Sequence, residues 1–298
     1  MPAEKQRPRR PERPPQAGSL PHSEDSLIAR IGPTARARGL VKGIGDDCAI
    51  YRPRAGEDLL FTTDLFIEDV HFRRRDHDAA SLGRRALARS LSDIAAMGGT
   101  PRFCLVSLAL PAWADEKWFA GFYRGLKKLA AETGTAVAGG DLSHARKLAC
   151  DVMVCGSVSK AKALRRDGAK AGDAIYVSGP LGGWKNRKEI VPRLDIGRRL
   201  IGKATACMDI SDGLSLDLLR LTKASGAGAV LDRGLPVLEG ATLDQALHDG
   251  EDYELLYTAP PRVRVPGHRI GTVVNDRPGR VTFMGLPLKP QGYDHFRR

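Results

Sequence analysis

The chain has 298 residues, room for one large domain or two ordinary ones, and its 42% hydrophobic and 28% charged content suits a protein that buries a core. No apolar run approaches the roughly 20 residues that cross a bilayer, and no signal peptide is visible, so the expected location is cytoplasmic, with no membrane partner. The net charge of +12 admits anionic partners, but no recognition helix, RNP sequence or zinc finger marks a specific nucleic-acid binder, and five cysteines without a CxxC argue against disulfides or zinc.

In chain order, residues 1–22 read as a disordered basic tail, rich in proline and carrying Lys5, Arg7, Arg9, Arg10 and Arg13 against Glu4 and Glu12. The globular part begins near Ser23 with an amphipathic helix over 24–31. A strand follows over 59–67. A helix over 79–97 carries the apolar stripe Leu82, Leu87, Leu91, Ile94 and Ala95, and Gly98-Gly99 stops it. A strand over 103–110, a helix over 115–133 ended by Gly134, and strands over 135–138 and 149–159 complete a β-α-β-α-β-β run. A boundary falls near 160–168, where Lys, Arg and Gly replace apolar residues. Beyond it the patterns predict strands over 174–178, 208–210, 229–231, 254–258 and 280–284, and a helix over 214–224. Strands and helices without strict alternation predict α+β layers in two domains, 23–160 and 161–298.

Acidic residues recur beside glycine or a hydroxyl residue: Asp46-Asp47 in GIGDD, Asp64 in TTD, Asp93 in LSDIAAMGG, Asp141 in GGD, Asp209 and Asp212 in MDISDG, and Glu251-Asp252 in DGEDYELL. Singly each has a plain role. Asp46-Asp47 suits a turn, Asp212 a helix cap, and Asp93 would be solvated with Arg89 and Ser90 on a polar helix face. Gathered in one cleft, they would repel each other unless a divalent cation joined them, and carboxylate with hydroxyl is a hard-oxygen donor set suited to Mg²⁺. Mg²⁺ completed by phosphate oxygens is a usual nucleotide-phosphate arrangement. No GxxxxGK motif, no HRD or DFG set and no GxSxG elbow occurs, so the sequence points to phosphoryl transfer without a P-loop.

These segments resemble the thiamine-monophosphate kinase family, in the superfamily of aminoimidazole ribonucleotide synthetase and selenophosphate synthetase. The resemblance rests on GIGDDCAI (43–50), TTDLFIEDVHF (62–72), LARSLSDIAAMGGTPR (87–102), AGGDLS (138–143), RRDGAKAGDAIYVSG (165–179), MDISDGLSLDLL (208–219), GEDYELL (250–256) and GYDHF (292–296), in family order. It implies a two-domain α+β fold of the aminoimidazole ribonucleotide synthetase type. The N-terminal domain would bind ATP and Mg²⁺ and pair its strands across a homodimer barrel, and the C-terminal domain would be an α/β sandwich. It implies transfer of the ATP γ-phosphoryl group to thiamine monophosphate, in line, with several Mg²⁺ and no side chain as nucleophile. By motif it implies Asp47, Thr62, Thr63, Asp64, Asp93, Asp141, Asp209 and Asp212 as metal ligands. It implies Gly140, Asp141, Arg166 and Ser211 at the nucleotide or its metals, and His71, Glu251 and Tyr293 at the substrate. A different ATP-using enzyme of the superfamily, or a non-catalytic nucleotide-binding regulator, are the alternatives. Two departures stand out: the short WKNRKEIVPRLDIGRR stretch after Gly183, and Asp249 where the family has glycine, which puts the local turn and the approach of substrate in question.

Overall fold

The computed structural model describes residues 24–32, 37–44, 48–183 and 189–296. The basic tail and Asp47 lie outside these residues, as does the stretch 184–188. The first half holds α1 (Glu24–Ile31), β1 (Leu40–Lys42), β2 (Ile50–Tyr51), β3 (Glu57–Ile67), α2 (Ala79–Ala96), β4 (Thr100–Leu110), α3 (Glu116–Thr133), β5 (Ala136–His144) and β6 (Ala149–Ser159). The second holds β7 (Ala174–Val177), α4 (Leu194–Leu200), β8 (Ala206–Asp209), α5 (Leu214–Ala224), β9 (Gly228–Leu231), α6 (Leu243–His248), β10 (Leu255–Ala259), β11 (His268–Val274), β12 (Val281–Phe283) and β13 (Leu286–Pro287).

The first half is a four-stranded sheet in the order β3-β6-β4-β5. β3 and β6 pair antiparallel along their whole lengths, from Glu57 opposite Ser159 to Ile67 opposite Ala149. β4 and β5 are parallel, and α3 is the crossover such a pair requires. The strand expected to end at Ala138 continues through Gly139-Gly140 to His144, because β4 supplies a partner for each residue up to Leu110 opposite His144. The added Cβ of any other residue at 140 would stand 1.9 Å from the Val106 carbonyl oxygen, so the sequence needs glycine there.

Helix α2 starts where the Asp78 carboxylate accepts the Ser81 N–H at 2.7 Å. It ends at Gly98, whose φ of 70° suits glycine. It packs on α3 at glycine contacts: a Cβ at Gly83 would meet the Phe122 carbonyl oxygen at 1.9 Å, and one at Gly125 the Ala80 carbonyl oxygen at 1.8 Å. On its other flank lie α4 and β8, with Gly197 set against the Ala95 carbonyl. Both flanks are therefore covered, and the expected solvated polar face is corrected: Arg89 is 8% exposed and Ser90 0%.

The second half is a seven-stranded sheet in the order β13-β12-β9-β11-β7-β10-β8, antiparallel except where β9 meets β12. Helix α5 covers it, with α6 beside α5. Leu214, Leu218 and Leu221 recur at helical spacing on α5 and join Ile175, Val177 and Leu256 in the second core. The architecture is the expected α+β layering. The elements that the periodicity does not announce are the short β1, β2 and β13, together with β11, α4 and α6.

Candidate active site

A cleft of about 970 Å³ opens where α2, the end of β3, the segment after β8, residues 249–253 and the C-terminal segment 291–295 meet. β3 alternates its side chains, so Thr62, Asp64 and Phe66 face α2 while Phe61, Thr63 and Leu65 face out. α2 brings Arg89 and Asp93 to the cleft on one face, four residues apart. β8 ends in Asp209, with Ser211 and Asp212 just beyond it, also on the cleft wall.

Asp64, Asp93 and Asp209 influence one another electrostatically. Burial, with repulsion from Asp93, pushes Asp64 up to about 6 against the opposing pull of Arg89. Burial also raises Asp93, offset in part by the Thr62 hydroxyl, which donates to its carboxylate, and by Arg166. Asp209 is 3% exposed and accepts the Ser92 hydroxyl at 2.7 Å; burial and then Asp93 push it up to about 8. Three carboxylates that resist ionisation, with Thr62 and Ser92 hydroxyls attached, form an oxygen donor set that a hard divalent cation fits. Among the described residues no three His, Cys, Asp or Glu side chains cage a metal by themselves. An ion here would complete its shell with water or phosphate oxygens, which is how Mg²⁺ is usually held.

The remaining expected ligands are spread more widely. The Asp212 carboxylate lines the cleft and pairs with Arg220. Its backbone N–H and that of Ser211 donate to the buried Asp217 carboxylate at 3.0 and 3.1 Å. Asp212 therefore does not cap α5, whose N-cap is Gly213 with no side-chain cap, and Asp217 instead braces the loop that leads into the helix. Thr63 donates to Asp151 on the outward face of the sheet. The register sets Asp151, Ser107 and Asp141 side by side on that face, and Gly140 and Asp141 are exposed. The structure thus places Thr63 and Asp141 across the sheet from Asp64. Arg166 is exposed, yet near enough to Asp93 to favour its charged form.

On the substrate side, His71, Glu251 and Tyr293 all line the cleft. His71 accepts the Ile67 N–H on Nδ1 at 3.0 Å, so its Nε2 carries the proton. Burial and then Arg89 push His71 down to about 4 and keep the ring neutral. His295 stands between the His71 and Tyr293 rings, at centroid distances of 5.1 and 4.7 Å. Glu251 sits at a φ of 65° and accepts Arg85 Nη2 at 2.9 Å and Arg89 Nη1 at 2.6 Å. Its neighbours are anchored too. Asp252 accepts the Gly182 and Gly183 N–H groups at 3.1 and 3.0 Å, and Glu254 accepts the Ser178 hydroxyl at 2.5 Å and Arg193 Nε at 2.8 Å.

Arg85, Arg89, Ser92 and Asp217 escaped the motif reading. The available signal was the spacing of 85, 89 and 92 down one face of a helix otherwise rich in apolar residues. The question of the backbone turn at Asp249 also resolves. Its φ of −74° and ψ of 140° are extended backbone open to any residue. Glycine is needed next door, where a Cβ at 250 would stand 2.5 Å from the Ser211 carbonyl oxygen.

The family described as AIR synthase related protein, N-terminal domain, matches residues 45–158. Thiamine-monophosphate kinase of Salmonella typhimurium is 35% identical, covering 92% of this chain and 98% of that protein. The Bacillus subtilis enzyme of the same name is 31% identical over 92% of this chain and 99% of its own length. A crystal structure of thiamine-monophosphate kinase from Stenotrophomonas maltophilia superposes with a TM-score of 0.76 at 32% identity, covering 89% of this chain and 96% of that one. AaThiL complexed with AMPPCP and TMP superposes at 0.75 and 30% identity, covering 86% and 92%. Hydrogenase maturation protein HypE in complex with ATP, 18% identical with a TM-score of 0.75, shares the fold. With this agreement along nearly the whole length, on top of the clustered carboxylates, the chain belongs to the thiamine-monophosphate kinase family.

Proposed function

We propose that the cleft transfers the γ-phosphoryl group of ATP to thiamine monophosphate, giving thiamine diphosphate and ADP. The observation that carries this reading is the cluster of buried Asp209 with half-buried Asp64 and Asp93, in a chain that matches kinases of that name over 92% of its length. The relative solved with AMPPCP and TMP supports the pair of substrates.

Asp47, Thr62, Thr63, Asp64, Asp93, Asp141, Asp209 and Asp212 are the proposed holders of Mg²⁺. When bound, Mg²⁺ neutralises phosphate charge and so favours attack by the acceptor's phosphate oxygen. The protein's own part is positioning. Gly140, Asp141, Arg166 and Ser211 are assigned to the nucleotide side, and His71, Glu251 and Tyr293 to the thiamine side. A neutral His71 and the Tyr293 ring offer flat faces to a heterocyclic cation. Residues 23–160 would form the nucleotide and dimerisation domain and 161–298 the second domain. A homodimer through the outward face of the four-stranded sheet is supported by Phe61 and Leu65, 65% and 52% exposed on it. The proposed location is the cytoplasm, where ATP is supplied; no helix among the described residues is long and apolar enough to cross a membrane.

The test is incubation of the full chain with ATP, Mg²⁺ and thiamine monophosphate, followed by chromatography for thiamine diphosphate. Formation of equal amounts of thiamine diphosphate and ADP is expected. Tight ATP binding without thiamine diphosphate would leave a nucleotide-binding regulator as the better reading.

A further inference from the structure

We propose that Arg89 recognises the phosphomonoester group of the acceptor, and that Glu251 and Arg85 serve to hold its guanidinium in place. This rests on the phosphotransfer reading above and names the residue that would tell thiamine monophosphate from thiamine.

Charge balance is the first reason. A phosphomonoester entering this cleft meets Asp64, Asp93, Asp209 and Asp212 on its walls. The guanidinium groups among the lining residues are Arg73, exposed at the rim, and Arg89, buried. Arg89 is therefore the buried positive charge available to an anion inside the cleft. Arg85 and Arg89 share one carboxylate, that of Glu251, and the side chains of all three are largely buried, at 5%, 9% and 15% exposure. Two cations on one anion leave the trio positive.

Donor capacity is the second reason. Arg89 spends Nη1 on Glu251 at 2.6 Å. Its Nη2 reaches Asp64 only at 3.4 Å, a long contact easily exchanged for a better acceptor. Its Nε is enclosed without a hydrogen bond among the described residues and is closed to a ligand, so the edge an anion can take is that of Nη2 and the second Nη1 hydrogen. A guanidinium with spare in-plane donors suits two phosphate oxygens at once. Orientation is the third reason. The Phe66 and Tyr253 rings lie 5.4 and 5.8 Å from the guanidinium carbon and limit its swing. Glu251, with one arginine on each oxygen, acts through Arg89 as a positioning residue.

The test is equilibrium binding of thiamine monophosphate and of thiamine to the full chain. It is read by calorimetry with a non-hydrolysable ATP analogue, once in EDTA and once in Mg²⁺. The variants are Arg89→Gln, which removes the charge, and Arg89→Lys, which keeps the charge near Glu251 but loses the fork. The wild type should prefer the phosphorylated ligand. Arg89→Gln should cut that preference by about 10- to 100-fold, the weight of a charge-assisted pair of hydrogen bonds, with ATP-analogue affinity unchanged. Arg89→Lys should fall between. Wild-type preference in both variants, or an equal loss for both ligands, overturns the assignment; if Arg89→Gln does not fold, the lysine variant decides. A wild type that converts thiamine monophosphate while Arg89 variants keep their preference sinks this inference alone. A wild type that neither prefers nor converts it sinks the functional reading as well.

Discussion

At one end of the cleft, Asp64, Asp93 and Asp209 come from β3, α2 and the last residue of β8, whose backbone hydrogen bonds hold them in place. At the other end, His71 follows β3 in a turn, and Tyr293 and His295 belong to a C-terminal segment without regular structure. That segment is tied down at few points. The Tyr293 N–H donates to the Asp212 carbonyl at 3.0 Å, and Ser215 donates to the Gln291 carbonyl at 2.5 Å and accepts its N–H at 3.1 Å. The charged chemistry is carried by elements with fixed geometry, and the recognition of a flat ligand by a strap that small changes can loosen. Changes at the first end should therefore act on turnover, and changes at the second on substrate affinity.

The sharpest way to break that contrast is Asp93→Asn. Loss of turnover by at least about a hundredfold is expected, the scale of removing one electrostatic partner of a reacting phosphate, with an unchanged melting temperature. Wild-type steady-state rates in this variant would remove Asp93 from the site. Next comes pH. Folded Asp64 and Asp209 keep their protons up to about 6 and about 8. In the unfolded chain carboxylates lose them near pH 4, at roughly the reference value. The folded state thus binds more protons across this window, and raising the pH favours unfolding. Below about pH 6.5 the neutral His71 pulls the other way, because the unfolded chain protonates it there, so in EDTA the melting temperature should fall between pH 6.5 and 8.5, and Mg²⁺ should restore it more at pH 8 than at pH 6. A flat profile in EDTA would contradict the burial of these acids.

At the other end, Ser215→Ala should loosen the strap. The KM for thiamine monophosphate should rise about three- to tenfold, as for one or two lost hydrogen bonds, with kcat and the KM for ATP nearly unchanged. A fall in kcat alone would show that the strap governs chemistry rather than affinity. The smallest effect is expected from Asp249→Gly. Residue 249 has ordinary extended backbone, so glycine relieves nothing there. Activity should stay within about twofold while stability drops by roughly 0.5–1 kcal/mol through the freer unfolded chain. A clear gain in activity would show that the aspartate obstructs the cleft.

The long elements of the first half, unlike the short β1 and β2, could be read in order from the sequence because each is patterned, as with the stripe of Leu82, Leu87 and Leu91 on α2. β11 could not. HRIGTVV opens with polar residues and holds a register shift between Arg269 and Gly271, so its alternation is broken although it sits inside the sheet. The site acids stand out through their local company of glycine and hydroxyl residues. Arg85 and Arg89 do not, because their partner Glu251 lies 166 and 162 residues further along the chain. Which side of a sheet an acid serves is likewise a matter of register, as Asp64 and Asp141 illustrate.

Helix α2 has a consequence for motion. It is walled in on both flanks, by α3 with the first sheet and by α4 with β8, through backbone contacts that tolerate only glycine at 83, 125 and 197. A helix so confined cannot act as a hinge, and sliding it would drive carbonyl groups into one another. The two halves should then move as one block during turnover. Admission of substrate and escape of product fall to the peripheral segments, with the C-terminal strap serving as a latch over a floor that stays still.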